Sequence, residues 1–160
     1  MRSRAPNPGA SRVTTTAPEG LPVHLTALPF AVCLLGLVFA PTFELRDLLQ
    51  RVAVAYGAVL LAAFGAVHWG LALAGRIAWT APRLAGAFMP AVFGAAAAVL
   101  GGQRGLAVLV AGFGLFWLYE HRIVGAELPA DYLRLRRHSS AAVCALLALV
   151  TIASDSAGLA

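Results

Sequence analysis

The sequence predicts an all-α fold, a polytopic transmembrane helical bundle of about five spans. Three observations carry this expectation. Hydrophobic residues make up 60% of the 160 positions and charged residues 12%, against about 25% charged in soluble domains. Mean hydropathy is +0.80. Residues 52–74 form an unbroken apolar run in which His68 is the one charge-bearing side chain. As a helix that run is about 34 Å long, slightly more than the ~30 Å hydrocarbon core of a bilayer. A helix apolar on every face has no use in a soluble domain of this size. Backbone polar groups in lipid must be satisfied within the segment, so the spans are helices.

Residues 1–20 carry Arg2, Arg4 and Arg12 among Pro6, Pro8, Gly9 and Pro18. They cannot bury a core and are expected to form a disordered basic tail. The prolines spoil the amphipathic helix of a transit peptide, which favours a plain cytoplasmic tail. The first span covers about 25–40, with Pro29 tolerated near its start. Pro41 and the long leader argue against a cleaved signal peptide. Residues 43–51 read as a short interfacial lead-in, with Asp47 and Arg51 spaced to pair on a helix face. The second span is 52–74. Ala58, Ala62, Ala66, Gly70 and Ala74 recur every four residues, a spacing that lets helix backbones approach closely, within the chain or with a partner.

Residues 76–83 form a polar connection in which Trp79 suits the head-group belt. The third span, 84–100, contains Pro90, where a kink is expected. Residues 101–105 read as a tight turn closing an antiparallel hairpin. The fourth span, about 105–121, reaches across only if Gly105 and Glu120–Arg122 are helical with side chains extending to the interface. Residues 120–138 are the most polar part outside the tail and read as a turn followed by an interfacial helix. The fifth span is 139–153, with Ser140, Cys144 and Ala148 as small packing positions, and 154–160 is a short C-terminal tail.

All twelve basic residues are arginine, and the net charge of +5 is split among the loops. That pattern does not indicate nucleic acid. Contact with anionic lipids at the cytoplasmic face explains it more simply. With five spans, Arg2, Arg4, Arg12, Arg76, Arg83, Arg122, Arg134, Arg136 and Arg137 share one side, against Arg46, Arg51 and Arg104 on the other. This asymmetry puts the N-terminus in the cytoplasm and the C-terminus outside. The membrane is read as the bacterial inner membrane, with the mitochondrial inner membrane as the alternative. Cys33 and Cys144 lie in apolar runs without metal-ligand spacing and read as buried free thiols.

All four histidines fall toward the arginine-rich side, and Trp69, Arg76, Arg83, Glu120 and Tyr132 fall at the same face. Only His68 lies inside an apolar span, about 9 Å from its end at Ala74. Its helical neighbours Gly65, Ala72 and Gly75 are small, so it is expected to point into the bundle. An ionisable group there is a functional-site hypothesis by default. The plainer reading is a neutral imidazole bonded to a backbone carbonyl or hydroxyl on a neighbouring helix. Glu120 is read as a solvated interfacial charge or as an ion-pair partner of Arg76 or Arg83. Haem would need a second histidine at matching depth, and His121 is the one available. No cofactor or metal site is expected, and no Ser-His-Asp pattern, phosphate loop or HExxH motif is present. No acid lies well inside a span, which argues against proton-coupled transport.

The blocks Tyr56-Gly57-Ala58, Gly65 and His68-Trp69-Gly70 stand in fixed spacing. Trp79-x-x-Pro82, Glu120 with Arg122, and Pro129-x-x-Tyr132-x-x-Leu135-Arg136 follow in order. This pattern resembles the transmembrane protein 69-like family, also called domain of unknown function 3429, small multi-span membrane proteins of bacteria and mitochondria. The likeness covers about residues 25–153. It departs at Ala66, where glycine is expected, and at Asp131, where the family has tryptophan. The resemblance implies a small inner-membrane protein and brings no activity.

The candidate ligand-binding residues are His68, Trp69, Tyr56, Arg76, Glu120, Tyr132 and Arg136, with no catalytic residue. The leading expectation is a non-enzymatic accessory or assembly component with a membrane-protein partner. The alternatives are a small-ligand binder or carrier with a pocket around His68, and a haem- or quinone-linked redox protein.

Overall fold

A computed structural model describes residues 21–128 and 130–155, with the backbone alone at 21–24 and 155. The expected tail at 1–20, Pro129 and residues 156–160 lie outside the described residues. Five helices and one π turn account for most of the described residues, and no strand occurs among them.

Helix α1 is Leu21–Phe39 and runs through Pro29. Helix α2, Phe43–Leu73, is 31 residues long, or about 46 Å. It starts earlier than its apolar stretch because its first turn is well capped. The Thr42 side chain accepts the Leu45 N–H at 3.3 Å, and Glu44 sits at the positive end of the helix dipole. Asp47 and Arg51 pair at 2.5 Å. The segment 43–51, expected as a separate lead-in, is therefore the opening of α2. Helix α3, Ala81–Leu100, opens on Thr80 with Pro82 in its first turn and stays helical through Pro90. It passes to α4 through Gly101 alone, at φ 60° and ψ −177°, a conformation essentially reserved for glycine. This joint is tighter than the expected five-residue turn.

Helix α4, Gly102–Tyr119, continues into a single π turn, Glu120–Val124. Helix α5 is Ala130–Asp155. Both outrun the spans expected for them, because the π turn carries α4 on to Val124 and the expected interfacial helix is continuous with the fifth span. Four helices are long and apolar enough to cross a membrane: Phe43–Leu73, Ala81–Leu100, Gly102–Val124 and Ala130–Ser154. The fifth expected span is the shorter apolar helix Leu25–Phe39.

Successive helices pack antiparallel. Gly36 lies against Leu49 and Gly57 against Phe30, joining α1 to α2. Gly65 lies against the Ala87 carbonyl, and a Cβ on Gly94 would come within 2.7 Å of the Ala58 carbonyl, so α2 and α3 touch backbone to backbone. Gln103 donates to the Thr151 carbonyl at 3.0 Å, joining one end of α4 to α5. Helix α1 runs alongside α5, with the Thr26 and Ser139 hydroxyls 3.4 Å apart. Phe30, Leu61, Leu106, Leu109, Phe113 and Leu147 fill the centre.

The buried edge of α2 runs Ala58, Leu61, Gly65, His68, Ala72. It is not the expected four-residue stripe, of which Ala66 and Gly70 are exposed. Steps of four drift by about 40° each around a helix of 3.6 residues per turn. The small residues that do meet another helix on α2 and α3 are used within the chain.

Candidate functional site

Three helices bury a polar residue on an otherwise apolar seam, and all three do so at one end of the bundle. On α2 the seam Leu61, Phe64, His68, Ala72 carries His68. On α4 the seam Leu109, Phe113, Phe116, Glu120, Val124 carries Glu120. On α5 the seam Arg136, Ser140, Val143, Leu147, Val150 opens with Arg136. Exposure is 1% for His68, 1% for Glu120 and 8% for Arg136. Charged side chains are almost never buried to this degree unless paired.

The pairing is direct. Arg136 Nε donates to Glu120 Oε2 at 2.9 Å, and the Tyr132 hydroxyl lies 3.5 Å from Oε1. His68 Nε2 stands 3.7 Å from the same Oε1. The Arg136 guanidinium carbon lies 3.3 Å from the centroid of the Phe64 ring and 5.3 Å from that of Phe116, a cation–π geometry that helps hold a desolvated charge. The His68 ring packs against Phe116 and Tyr119, with centroids 5.3 and 5.9 Å away. Neither of its nitrogens completes a hydrogen bond. Arg136 Nη2 and Ser140 Oγ are likewise buried without a partner.

Glu120 also opens the π turn. Such single turns are rare and recur at functional sites. A buried ion pair is weak evidence of added stability, because desolvation offsets much of the attraction. Two unpartnered ring nitrogens and one unpartnered guanidinium nitrogen add further cost. The arrangement is a polar end-cap that apolar packing alone would not require.

The structure gathers four of the seven candidate residues, His68, Glu120, Tyr132 and Arg136. Tyr56 is twelve residues before His68 on the same helix, about 18 Å away, and its hydroxyl donates to the Thr26 carbonyl at 3.3 Å. Trp69 turns to another face of α2, with its ring 5.7 Å from Trp79 and 5.1 Å from Phe88. Arg76 is exposed beyond the end of α2.

The expected partners of Glu120, Arg76 and Arg83, are both corrected. Arg136 takes that role, and Arg83 pairs with Glu127. Nor is Glu120 a solvated interfacial charge, because the α4 seam carries it inward. The basic cluster divides in the same way, with Arg136 buried and Arg134 and Arg137 exposed.

Room for a ligand lies beside the ion pair, and in an equally large apolar groove between α3 and α4, rather than around His68. A hollow of about 410 Å³ is lined by Trp117, Glu120, His121, Ala130, Leu133, Arg134, Arg136 and Arg137. The His121 ring stacks on Trp117 at 5.7 Å and 9°. The void touching His68, shared with Trp69, Trp79 and Arg83, is only about 10 Å³, roughly one water in size. The residues that sequence reasoning missed are Trp117, Leu133, Arg134 and Arg137 as one wall. Their signal was present, since 130, 133, 134 and 137 share one face of a helix. Placing that helix at the membrane interface, apart from the fifth span, hid it. Among the described residues, no group of three or more His, Cys, Asp or Glu is placed to hold a metal ion.

Long apolar helices with one desolvated polar end define the class, an all-α membrane protein with an ion-paired site at the end of its bundle. Residues 24–152 match the family model Protein of unknown function (DUF3429), and the chain belongs to that family. No curated protein and no solved structure matches the chain.

Proposed function

We propose that this protein is a non-enzymatic integral membrane protein that binds a small ligand in the hollow beside Glu120 and Arg136. The observation that carries this reading is the pairing of that hollow, about 410 Å³, with a buried ion pair on its wall. Ligand sites in this size range are mostly apolar with a few convergent polar groups. Trp117 and Leu133 supply the apolar surface, and Arg136, Glu120 and His121 supply the polar groups. Catalysis has less support, because His68 is walled off by Phe116 and Tyr119. An accessory role built on small-residue stripes also has less support, because the helix-contacting glycines of α2 and α3 are used inside the bundle.

The arginine balance favours the bacterial inner membrane, with the N-terminus and the hollow on the cytoplasmic side. The binding test is native mass spectrometry of the full chain purified in mild detergent, wild type beside Ala130→Trp. Ala130 is exposed at the rim of the hollow, so an indole there fills the space without disturbing a buried contact. A small-molecule mass on the wild type that is lost in the variant supports binding. A bare wild type, or a mass that survives the plug, contradicts it.

A further inference from the structure

We propose that the ligand held in this hollow carries a phosphate group, a proposal that rests on the binding reading above. Charge comes first. Arg134, Arg136 and Arg137 line the hollow, and Glu120 is the one carboxylate among its lining residues. Glu120 is already engaged by Arg136 at 2.9 Å and by the Tyr132 hydroxyl. One guanidinium is thereby neutralised, and the positive charge of Arg134 and Arg137 is left over. Those two are exposed, three residues apart on one helix face, and neither has an ion-pair or hydrogen-bond partner among the described residues.

The second observation is Arg136 itself. It is 8% exposed, it lines the hollow, and its Nη2 has no hydrogen-bond partner. A buried guanidinium donor left unpaired is costly. Nη2 has almost no accessible surface, so an anion in the hollow meets it only after a small side-chain shift, and arginine forks match pairs of phosphate oxygens. The third is the position of Ala130, the first residue of α5, on the same wall. The start of that helix, with Asp131 in its first turn, therefore lies at the edge of the hollow. His121, stacked on Trp117, adds another donor.

The apolar part of the wall favours an anion carried on an apolar body over a bare inorganic one. Trp117 and Leu133 lie beside the arginines, so the hollow offers apolar surface next to its charged groups. A phosphate ester on an apolar body fits both, whether it is a lipid head group or a soluble phosphate compound.

The test uses the full chain in maltoside detergent and phosphate-free buffer. Inorganic phosphate and dihexanoyl phosphatidic acid are titrated separately, with sodium chloride at matched ionic strength as the reference. The readouts are melting temperature and native mass. At saturating ligand the melting temperature rises by about 5 °C, and the mass shows one adduct. Arg134→Gln/Arg137→Gln weakens the response by about tenfold or more; both residues are exposed, so the fold does not depend on them.

A response to both probes assigns the site to phosphate itself, and a response to the lipid alone assigns it to a head group. Either supports the proposal. No response beyond that of chloride, or an undiminished response in the double variant, overturns it. If a phosphate-free mass still co-purifies and is lost in Ala130→Trp, the ligand class alone is wrong. If no mass co-purifies, the binding reading falls with it.

Discussion

At the scale of single residues, Glu120 and Arg136 each depend on the other for tolerance of the apolar interior. Removing one leaves the other as a bare buried charge. Glu120→Ala is therefore expected to destabilise the bundle by about 3–5 kcal/mol, read by thermal or denaturant unfolding in mild detergent. Glu120→Leu/Arg136→Met should recover most of that loss, since an apolar pair of similar volume needs no partner. A double variant as unstable as the single one would show that the pair holds the fold rather than burdening it.

His68 behaves differently. Neither of its nitrogens is hydrogen bonded, so His68→Leu gives up little. Its stability is expected within about 1 kcal/mol of the wild type. A drop of several kcal/mol would mean that the imidazole secures the packing, the plainer role considered for it from sequence. The sequence did place His68 inside the bundle, because small neighbours flank it on one face. It did not place Glu120 or Arg136, because a charge beside a polar stretch reads as solvated until the seam it sits on is followed. The steps from Phe113 to Phe116 to Glu120 are three and four residues, the rhythm of a buried face.

At the scale of helices, the α2–α3 contact is the most sensitive joint. Gly94 lies so close to the Ala58 carbonyl that an added Cβ would approach to 2.7 Å, whereas Gly70 faces open space. Gly94→Ala is expected to cost about 1–3 kcal/mol through overpacking, while Gly70→Ala stays within about 0.5 kcal/mol. Equal effects of the two, measured by unfolding in the same detergent, would mean that the helices do not pack at this distance.

Element identity was legible from hydropathy, because a run such as 52–74 admits one reading in lipid. Element ends were less legible. The opening of α2 depends on the Thr42 cap and the Asp47–Arg51 pair, local interactions that extend a helix past its apolar stretch. The lengths of α4 and α5 depend on polar residues becoming helical once they are paired across the bundle. No hydropathy window records that pairing. The π turn at Glu120 left no sequence signal that was recognised.

At the scale of the whole molecule, the proposed orientation follows from charge alone. Among the described residues, Arg76, Arg83, Arg122, Arg134, Arg136 and Arg137 gather at the end where α2 meets α3 and α4 meets α5, against Arg46, Arg51 and Arg104 at the opposite end. Reporter fusions should find residue 1 in the cytoplasm and residue 160 outside; both ends in one compartment would overturn the five-span layout. The proposed orientation would put the hollow and its ion pair within reach of a cytoplasmic compound or an inner-leaflet head group. The most direct measurement is a density map of the full chain, purified gently from its own membrane and held in a lipid disc. The expected result is non-protein density in the hollow, within hydrogen-bonding reach of Arg134, Arg136 or Arg137 and against the Trp117 ring, with Glu120 still on Arg136. An empty or collapsed hollow, or Arg136 swung away from Glu120 into lipid, would contradict it.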